Sequence, residues 1–145
     1  MGLRGAYRSE VAKAFARAER VDAPVTESDL EHLPEAVQQY LRFAGVVGQR
    51  RVWNYRMKTG GEFRMDADSS WMTMTADQHS FVEPAARLFF IKASLGLIPF
   101  AGFHRYVGED ATYQVKVASL FTVVDARGPE MNQSETVTLL NDMCV

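Results

Sequence analysis

Apolar and polar side chains alternate with a period of two in one short segment after another from residue 51 onward. Successive side chains of a β-strand point to opposite faces, so each such segment predicts a strand with one buried face. We interpret as strands the segments 51–58, 62–65, 71–76, 87–94, 111–117, 121–124 and 136–140. Short connections without helical patterns predict an antiparallel meander. Because a sheet of this size twists and curls, the expected fold class is α+β: a curved antiparallel sheet, a half-barrel meander, with one or two N-terminal helices.

Three connections follow from this reading. Gly60–Gly61 predicts a hairpin turn, because glycine takes positive φ freely at both central positions. Residues 66–70 are polar and predict a second turn, whereas residues 96–102 predict an apolar loop that would act as a lid.

Two segments before residue 51 have helical spacing instead. Residues 9–20 place four apolar side chains on one face, namely Val11, Ala14, Phe15 and Ala18. Residues 34–44 do the same with Val37, Tyr40, Leu41 and Ala44, and Gly45 follows as a C-terminal cap. This second apolar stripe needs a cover, so we expect the helix to lie near the concave face of the sheet.

The chain divides into an N-terminal helix and linker, 1–25, and a helix-plus-sheet domain, 26–145, on this interpretation. Thr26 and Asp29 have the spacing of a capping box at the start of the domain. A chain of 145 residues with 47% hydrophobic residues is long enough to bury one core without covalent staples.

Charge and cysteine usage exclude several partners. The net charge is −2 and the basic residues are scattered, which argues against a nucleic-acid partner. The single cysteine, Cys144, allows no intrachain disulfide, so we expect a reducing, cytoplasmic location and a buried, small-hydrophobe role for this side chain. The longest uncharged stretch, 93–103, is too short for a bilayer span.

Short motifs of known chemistry are absent from the sequence. We find no P-loop, no GxGxxG, no GxSxG and no zinc signature, and the three histidines have no metal-ligand spacing. The sequence therefore predicts no cofactor and no metal site.

His104 is the first candidate for chemistry. It stands beside Arg105 and Tyr106, and Asp110 follows closely. One interpretation is a structural polar cluster with a His–carboxylate hydrogen bond. The other is a general acid/base at near-neutral pH, paired with Asp110 or with Glu135.

A second polar group lies on the predicted last strand. Glu135 and Asn141 share a face of an unbroken strand, whereas Asp142 faces the other way. A carboxylate among inward residues needs a partner, and Arg87 or Arg105 would provide it. The group is then either a structural salt bridge or a polar anchor in a ligand hollow.

We assign the lining of such a hollow to large apolar side chains and a few polar ones. The apolar set is Trp53, Tyr55, Met72, Met74 and Phe90. The polar set is Gln78, Arg87, Arg105 and Asn141.

The order of several segments resembles an uncharacterised bacterial family, a domain of unknown function. The resemblance covers about residues 26–144 and rests on segments 26–48, 71–78, 87–90, 104–108 and 134–144. It implies that family members are longer and continue with further strands, so that this chain is the N-terminal portion of such a protein. The pattern is also similar to the curved half-barrel of lipoprotein-carrier proteins, which hold acyl chains in an apolar hollow.

Three functional hypotheses remain open from the sequence. The favoured one is a non-catalytic binding domain that holds an apolar or amphipathic small molecule in the curved sheet. The second is an enzyme that acts on a small polar substrate through His104 with Glu135 or Asp110. The third is a half-domain that assembles into a homo-oligomer through an unpaired edge strand.

Overall fold

The computed structural model describes residues 2–143, with the backbone alone for Met143. Cys144, for which the sequence predicts a buried role, lies outside the described residues. The elements in chain order are α1 (Leu3–Arg17), a short 3₁₀ turn (Glu27–Asp29), α2 (Glu35–Phe43), β1 (Asn54–Phe63), β2 (Met72–Phe81), β3 (Ala86–Leu95), β4 (Ile98–Val107), β5 (Asp110–Val117), β6 (Phe121–Arg127) and α3 (Pro129–Met143).

The six strands form one open, curved sheet in the order β1-β2-β3-β4-β5-β6. Every neighbouring pair is antiparallel, so the predicted meander and the α+β class are confirmed. A bulge between Val115 and Lys116 interrupts the register of β5 and β6. Such a bulge increases the local twist and bends the strand.

The register divides the sheet into two faces. The α1 face carries Phe81, Leu88, Phe90 and Phe103, and α1 packs over β3 and β4. The α3 face carries Gln78, Arg87, His104, Tyr106 and Tyr113, and α3 packs over β4, β5 and β6.

Aromatic side chains pack between α1 and the sheet. Tyr7 stacks on Phe90 with ring centroids 5.6 Å apart and meets the edge of Phe103 at 5.8 Å. Phe15 meets Phe81 edge-on at 5.0 Å. This packing explains why α1 begins at Leu3 and not at residue 9 as predicted, because Leu3 and Tyr7 are buried against the sheet.

Residues 19–53 form a second compact unit. The predicted capping box is present, since the backbone N–H of Thr26 donates to Asp29 Oδ2 at 2.7 Å. Gly45 has φ +72° and ends α2 as expected, because a residue with a Cβ is strained there.

The first compact unit comprises the described residues 2–18 and 54–143, and its helices α1 and α3 pack on the two sheet faces. Helix α2, which the sequence predicts near the concave face, belongs to the second unit, so that placement stays a prediction.

Two predicted connections are wrong. Gly60 and Gly61 are not a turn: β1 passes straight through them and pairs with Thr75 and Met74. Neither glycine has the positive φ that a two-residue hairpin needs. Of the predicted loop 96–102, only 96–97 is a turn, and the rest is the start of β4.

The predicted last strand, 136–140, is part of helix α3. Pro129 opens this helix at a position where a missing N–H costs nothing, and no glycine or proline follows. The alternation of Val137 and Leu139 with the polar Thr136 and Thr138 predicted a strand. In the helix their hydroxyls donate to the carbonyls of Asn132 and Ser134, at 2.8 and 2.9 Å.

Candidate functional site

Arg87 on β3 lies at the centre of a buried polar cluster on the α3 face. Its Nε donates to Asp142 Oδ2 at 2.7 Å, and its Nη1 donates to Glu135 Oε2 at 3.1 Å. Its Nη2 donates to Gln78 Oε1 at 3.1 Å. One guanidinium therefore connects two helical carboxylates to the sheet.

Gln78 and His104 complete the group, which we call the Arg87 cluster: Gln78, Arg87, His104, Glu135 and Asp142. Gln78 Nε2 donates to Asp142 Oδ2 at 2.8 Å. His104 Nδ1 lies 2.9 Å from Glu135 Oε1. Because the ionised carboxylate accepts only, this contact makes Nδ1 the protonated nitrogen and leaves Nε2 as the second polar atom of the ring.

Helical spacing explains which residues α3 contributes. Glu135 and Asp142 are seven positions apart, about two helical turns, so they lie on one side of α3. Asn141, predicted as a ligand-binding residue, is exposed on α3 instead. Treating the segment as a strand put Asn141 on the face of Glu135 and turned Asp142 away, which is why Asp142 was missed.

Glu135 is ionised in this environment. Burial alone would raise the pKa of this carboxyl, which is 3% exposed. The hydrogen bond from His104, and then the charge and hydrogen bond of the Arg87 guanidinium, outweigh burial and hold the pKa of Glu135 below its ordinary range. The cluster thus holds two carboxylates, those of Glu135 and Asp142, beside one guanidinium, that of Arg87.

A hollow of about 830 Å³ opens beside this cluster on the α3 face. Apolar side chains from all six strands dominate its lining: Phe63, Met72, Phe89, Ile91, Ala93, Leu95, Phe100, Val115, Val123 and Val124. The 64–71 connection borders it through Met65, Asp68 and Ser69. His104 lines the hollow and also belongs to the Arg87 cluster, so it is the link between the apolar space and the buried charges.

The rings beside His104 are fixed by close packing. His104 stacks on Tyr113 with centroids 3.6 Å apart and an interplanar angle of 21°. A Cβ placed on Gly102 would come within 2.8 Å of Ile91 Cγ2 and 3.4 Å of Tyr113 Cε2. The absence of a side chain at Gly102 therefore lets Ile91 and Tyr113 close over the floor of the hollow.

The structure brings some of the sequence-predicted residues together. Met72 lines the hollow, Gln78 and Arg87 belong to the cluster, and His104 lies at their meeting point. Met74 lies on the same face, paired with Ala93. Tyr55 also lies on this face, paired with Ser80, and its buried hydroxyl has no hydrogen-bond partner within residues 2–143.

Other predicted residues lie elsewhere. Phe90 and Arg105 are on the α1 face, where Phe90 packs on Tyr7 and Arg105 Nε donates to Glu10 Oε2 at 2.9 Å. Asp110 is exposed and accepts from Arg105 Nη1 at 3.0 Å, on the face opposite His104, so it is not the acid partner of that histidine.

Trp53 falls in the second compact unit, where the Arg20 guanidinium lies 5.8 Å from its ring centroid. Several lining residues escaped sequence reasoning, notably Phe89, Ile91 and Phe100. The apolar side chains on both faces of segment 87–94 indicated a buried strand, but this pattern did not show which face would border an open space.

Among residues 2–143, no three His, Cys, Asp or Glu side chains are arranged to hold a metal ion. No helix in the described part of the chain is long and apolar enough to cross a membrane.

Comparison with known proteins places the chain in a family. The model of the family of unknown function DUF6544 matches residues 23–145, and the chain belongs to this family. No curated protein and no solved structure matches it significantly.

Proposed function

We propose that this chain is a non-catalytic binding domain that holds an apolar or amphipathic small molecule in the hollow of the α3 face. The observation that carries the proposal is a space of about 830 Å³ that is lined mainly by apolar side chains and in which His104 also belongs to the buried Arg87 cluster. Ligand sites of proteins have this size and this combination of apolar walls with few polar groups.

The charges of the cluster restrict the polar end of the ligand. Arg87 already donates to Glu135, Asp142 and Gln78, so no free guanidinium is left to bind a carboxylate. The two helical carboxylates disfavour a further negative charge nearby. We therefore propose a ligand with an apolar body and a neutral group that hydrogen-bonds to His104.

Filling the hollow tests this proposal. Ala93 faces the hollow, and Ala101, on the neighbouring strand, faces the opposite side of the sheet. We expect Ala93→Phe to lower the affinity for the apolar fluorophore ANS at least tenfold and Ala101→Phe to leave it unchanged. Native mass spectrometry of the purified protein should show a bound small molecule that Ala93→Phe loses. Equal ANS affinity in both variants would contradict the proposal.

The contact between His104 and Glu135 favours a second candidate, an enzyme that uses His104 as general acid/base. A carboxylate that orients one nitrogen of an imidazole leaves the other nitrogen available for proton transfer. Hydrolysis of p-nitrophenyl acetate is a suitable probe. This candidate requires a rate above that of free imidazole at equal concentration, lost in His104→Gln and retained in His32→Gln; a rate equal to that of free imidazole rules it out.

A homo-oligomer through the sheet edge remains a proposal. Strand β6 is one edge of the open sheet, and its Phe121 and Val123 are exposed. Light scattering coupled to size exclusion tests the homo-oligomer, because a monomer over a wide concentration range contradicts it.

A cytoplasmic location also remains a proposal, supported by the single cysteine of the sequence and tested by cell fractionation.

A further inference from the structure

Three connections lie at one end of the sheet, which we call the hairpin end: 64–71, 96–97 and 118–120. In an antiparallel meander, alternate connections fall at the same end, so these three are neighbours by topology. The other end carries 82–85, 108–109 and residue 128.

Large apolar side chains are exposed at each connection of the hairpin end. Trp71 is 59% exposed, Leu97 100% and Leu120 76%, and Phe121 beside the last connection is 69% exposed. At the opposite end, among the described connection residues, Val82 alone is a large exposed hydrophobe. Exposed apolar side chains concentrated at one end of a molecule indicate an interaction surface.

Positive charge adjoins these apolar tips on the α1 face. A cavity of about 240 Å³ is lined by Arg4, Lys92 and Lys116, by the N-terminal residues of α1, and by Ser119 of the third connection. No carboxylate lines this cavity, and none of the three cations forms an ion pair within the described chain. The carboxylates of the hairpin end, Glu62, Asp66 and Asp68, are on the β1 side instead.

We propose that the hairpin end docks on an anionic phospholipid bilayer. The tips enter the interface, with Trp71 at headgroup level, and the cavity beside Lys92 and Lys116 takes lipid phosphate groups. Apolar residues on separate protruding tips flanked by lysines suit a deformable lipid surface, since a rigid protein partner needs one continuous complementary patch. The hollow is bordered by Met65 and Leu95 at this same end, so a docked molecule would present its hollow to the lipid.

Vesicle sedimentation with matched variants tests the docking. We expect binding to vesicles containing phosphatidylglycerol and little binding to pure phosphatidylcholine. Leu97→Ser should weaken the partition about tenfold, from the lost burial of one leucine. Val82→Ser, which changes an exposed side chain at the opposite end of the sheet, should leave it unchanged. Lys116→Gln should cost about fivefold and Arg17→Gln, at the other end of α1, nothing.

Tryptophan fluorescence supplies an independent readout. The chain has two tryptophans, so Trp53→Phe leaves Trp71 as the reporter. Its emission should shift to the blue on anionic vesicles, and brominated lipid should quench it. Absence of both effects would overturn the proposal.

Other occupants give distinguishable results. Binding of inorganic phosphate without vesicle binding would show a free-phosphate site and overturn docking. A mass that doubles with concentration and returns to the monomer in Leu97→Ser, without vesicle binding, would assign the surface to a second copy. Ala93→Phe should dock normally, so failure of the proposed ligand hollow and failure of docking remain separate outcomes.

Discussion

The two faces of this sheet use the same strands in opposite ways. On β3, Phe90 turns to the α1 face and packs between Tyr7 and Phe103, whereas its neighbour Phe89 turns to the α3 face and borders the hollow. Helix α1 packs on its face of the sheet through aromatic rings. Helix α3 contacts β4, β5 and β6, and the hollow opens on the same face toward the hairpin end.

The polar content of the faces differs as well. The α3 face buries Arg87 and Glu135 in a shared hydrogen-bond network, and both are less than a tenth exposed. Buried ion pairs contribute little net stability, because the desolvation of each charge offsets their attraction. The comparison teaches that the α1 face stabilises the fold while the α3 face combines a structural ion cluster with open apolar space, which suits a binding site.

The largest difference in the free energy of unfolding should appear between alanine variants of Phe90 and Phe89. We expect Phe90→Ala to lower the free energy of unfolding by about 4 kcal/mol, because it empties a packed site. Phe89→Ala should cost about 1–2 kcal/mol, since its side chain is only partly buried whereas that of Phe90 is buried. Urea denaturation measures both. Equal costs would mean that the α3 face is packed in solution, and the comparison would fail.

Two arginines give the next effect. Arg87→Ala should cost about 3 kcal/mol, because it leaves Glu135 buried without its cationic partner. Arg105→Ala breaks half-exposed pairs with Glu10 and Asp110 and should cost about 1 kcal/mol or less. The same denaturation measurement applies, and a larger loss for Arg105→Ala would contradict the assignment.

Acid should weaken the α3 face through Glu135. Since the folded-state pKa of Glu135 lies below its unfolded value, its contribution is present above the unfolded pKa and is lost as pH falls through the folded pKa. Glu135→Gln should therefore cost about 2 kcal/mol at neutral pH and flatten the acid limb of stability against pH. Glu31→Gln, at an exposed position of the second unit, is the control. An unchanged acid limb in Glu135→Gln would show that other carboxyls govern it.

The smallest effects compare two tyrosine hydroxyls. Tyr106 on the α3 face bonds Thr136 Oγ1 at 2.8 Å, so Tyr106→Phe should cost about 1 kcal/mol. Tyr7 on the α1 face bonds His79 Nδ1 at 2.8 Å, and Tyr7→Phe should cost a similar amount.

Raising the pH should reduce the stability of the fold through Tyr7. Burial, and then the charge of Asp77, raises the pKa of Tyr7 far above its ordinary value. Its contribution is therefore present below the unfolded pKa and is lost as pH rises through the folded pKa. Tyr7→Phe should flatten the alkaline limb of stability against pH, which urea denaturation at several alkaline pH values measures; an unchanged limb would contradict this assignment.

Much of the sheet was predictable because strand alternation is local. The segments 87–94, 111–117 and 121–124 fall within observed strands, 71–76 does so except for Trp71, and the capping box at Thr26 is present. The errors share a cause. Gly60–Gly61, the start of β4 and the 136–140 segment have local patterns that fit two conformations, and pairing partners or helix contacts far along the chain select between them.

The site was predictable only in its residue types. Arg87 was named as a partner for Glu135 because a buried carboxylate needs a cation, and His104 because of its chemistry. Asp142 was missed, since its direction follows from the helical period of α3 and not from the period of a strand.

By itself, the sequence determined that strands would follow one another antiparallel, which side chains alternate along them, and that a buried Glu135 requires a cation. Each of these depends on neighbours along the chain or on the chemistry of one side chain. Only the tertiary structure decided which face α1 packs on and which part of the other face α3 leaves uncovered. The hollow is that uncovered part, so its position depends on contacts between elements far apart in the chain. No local sequence pattern specifies where such a space remains.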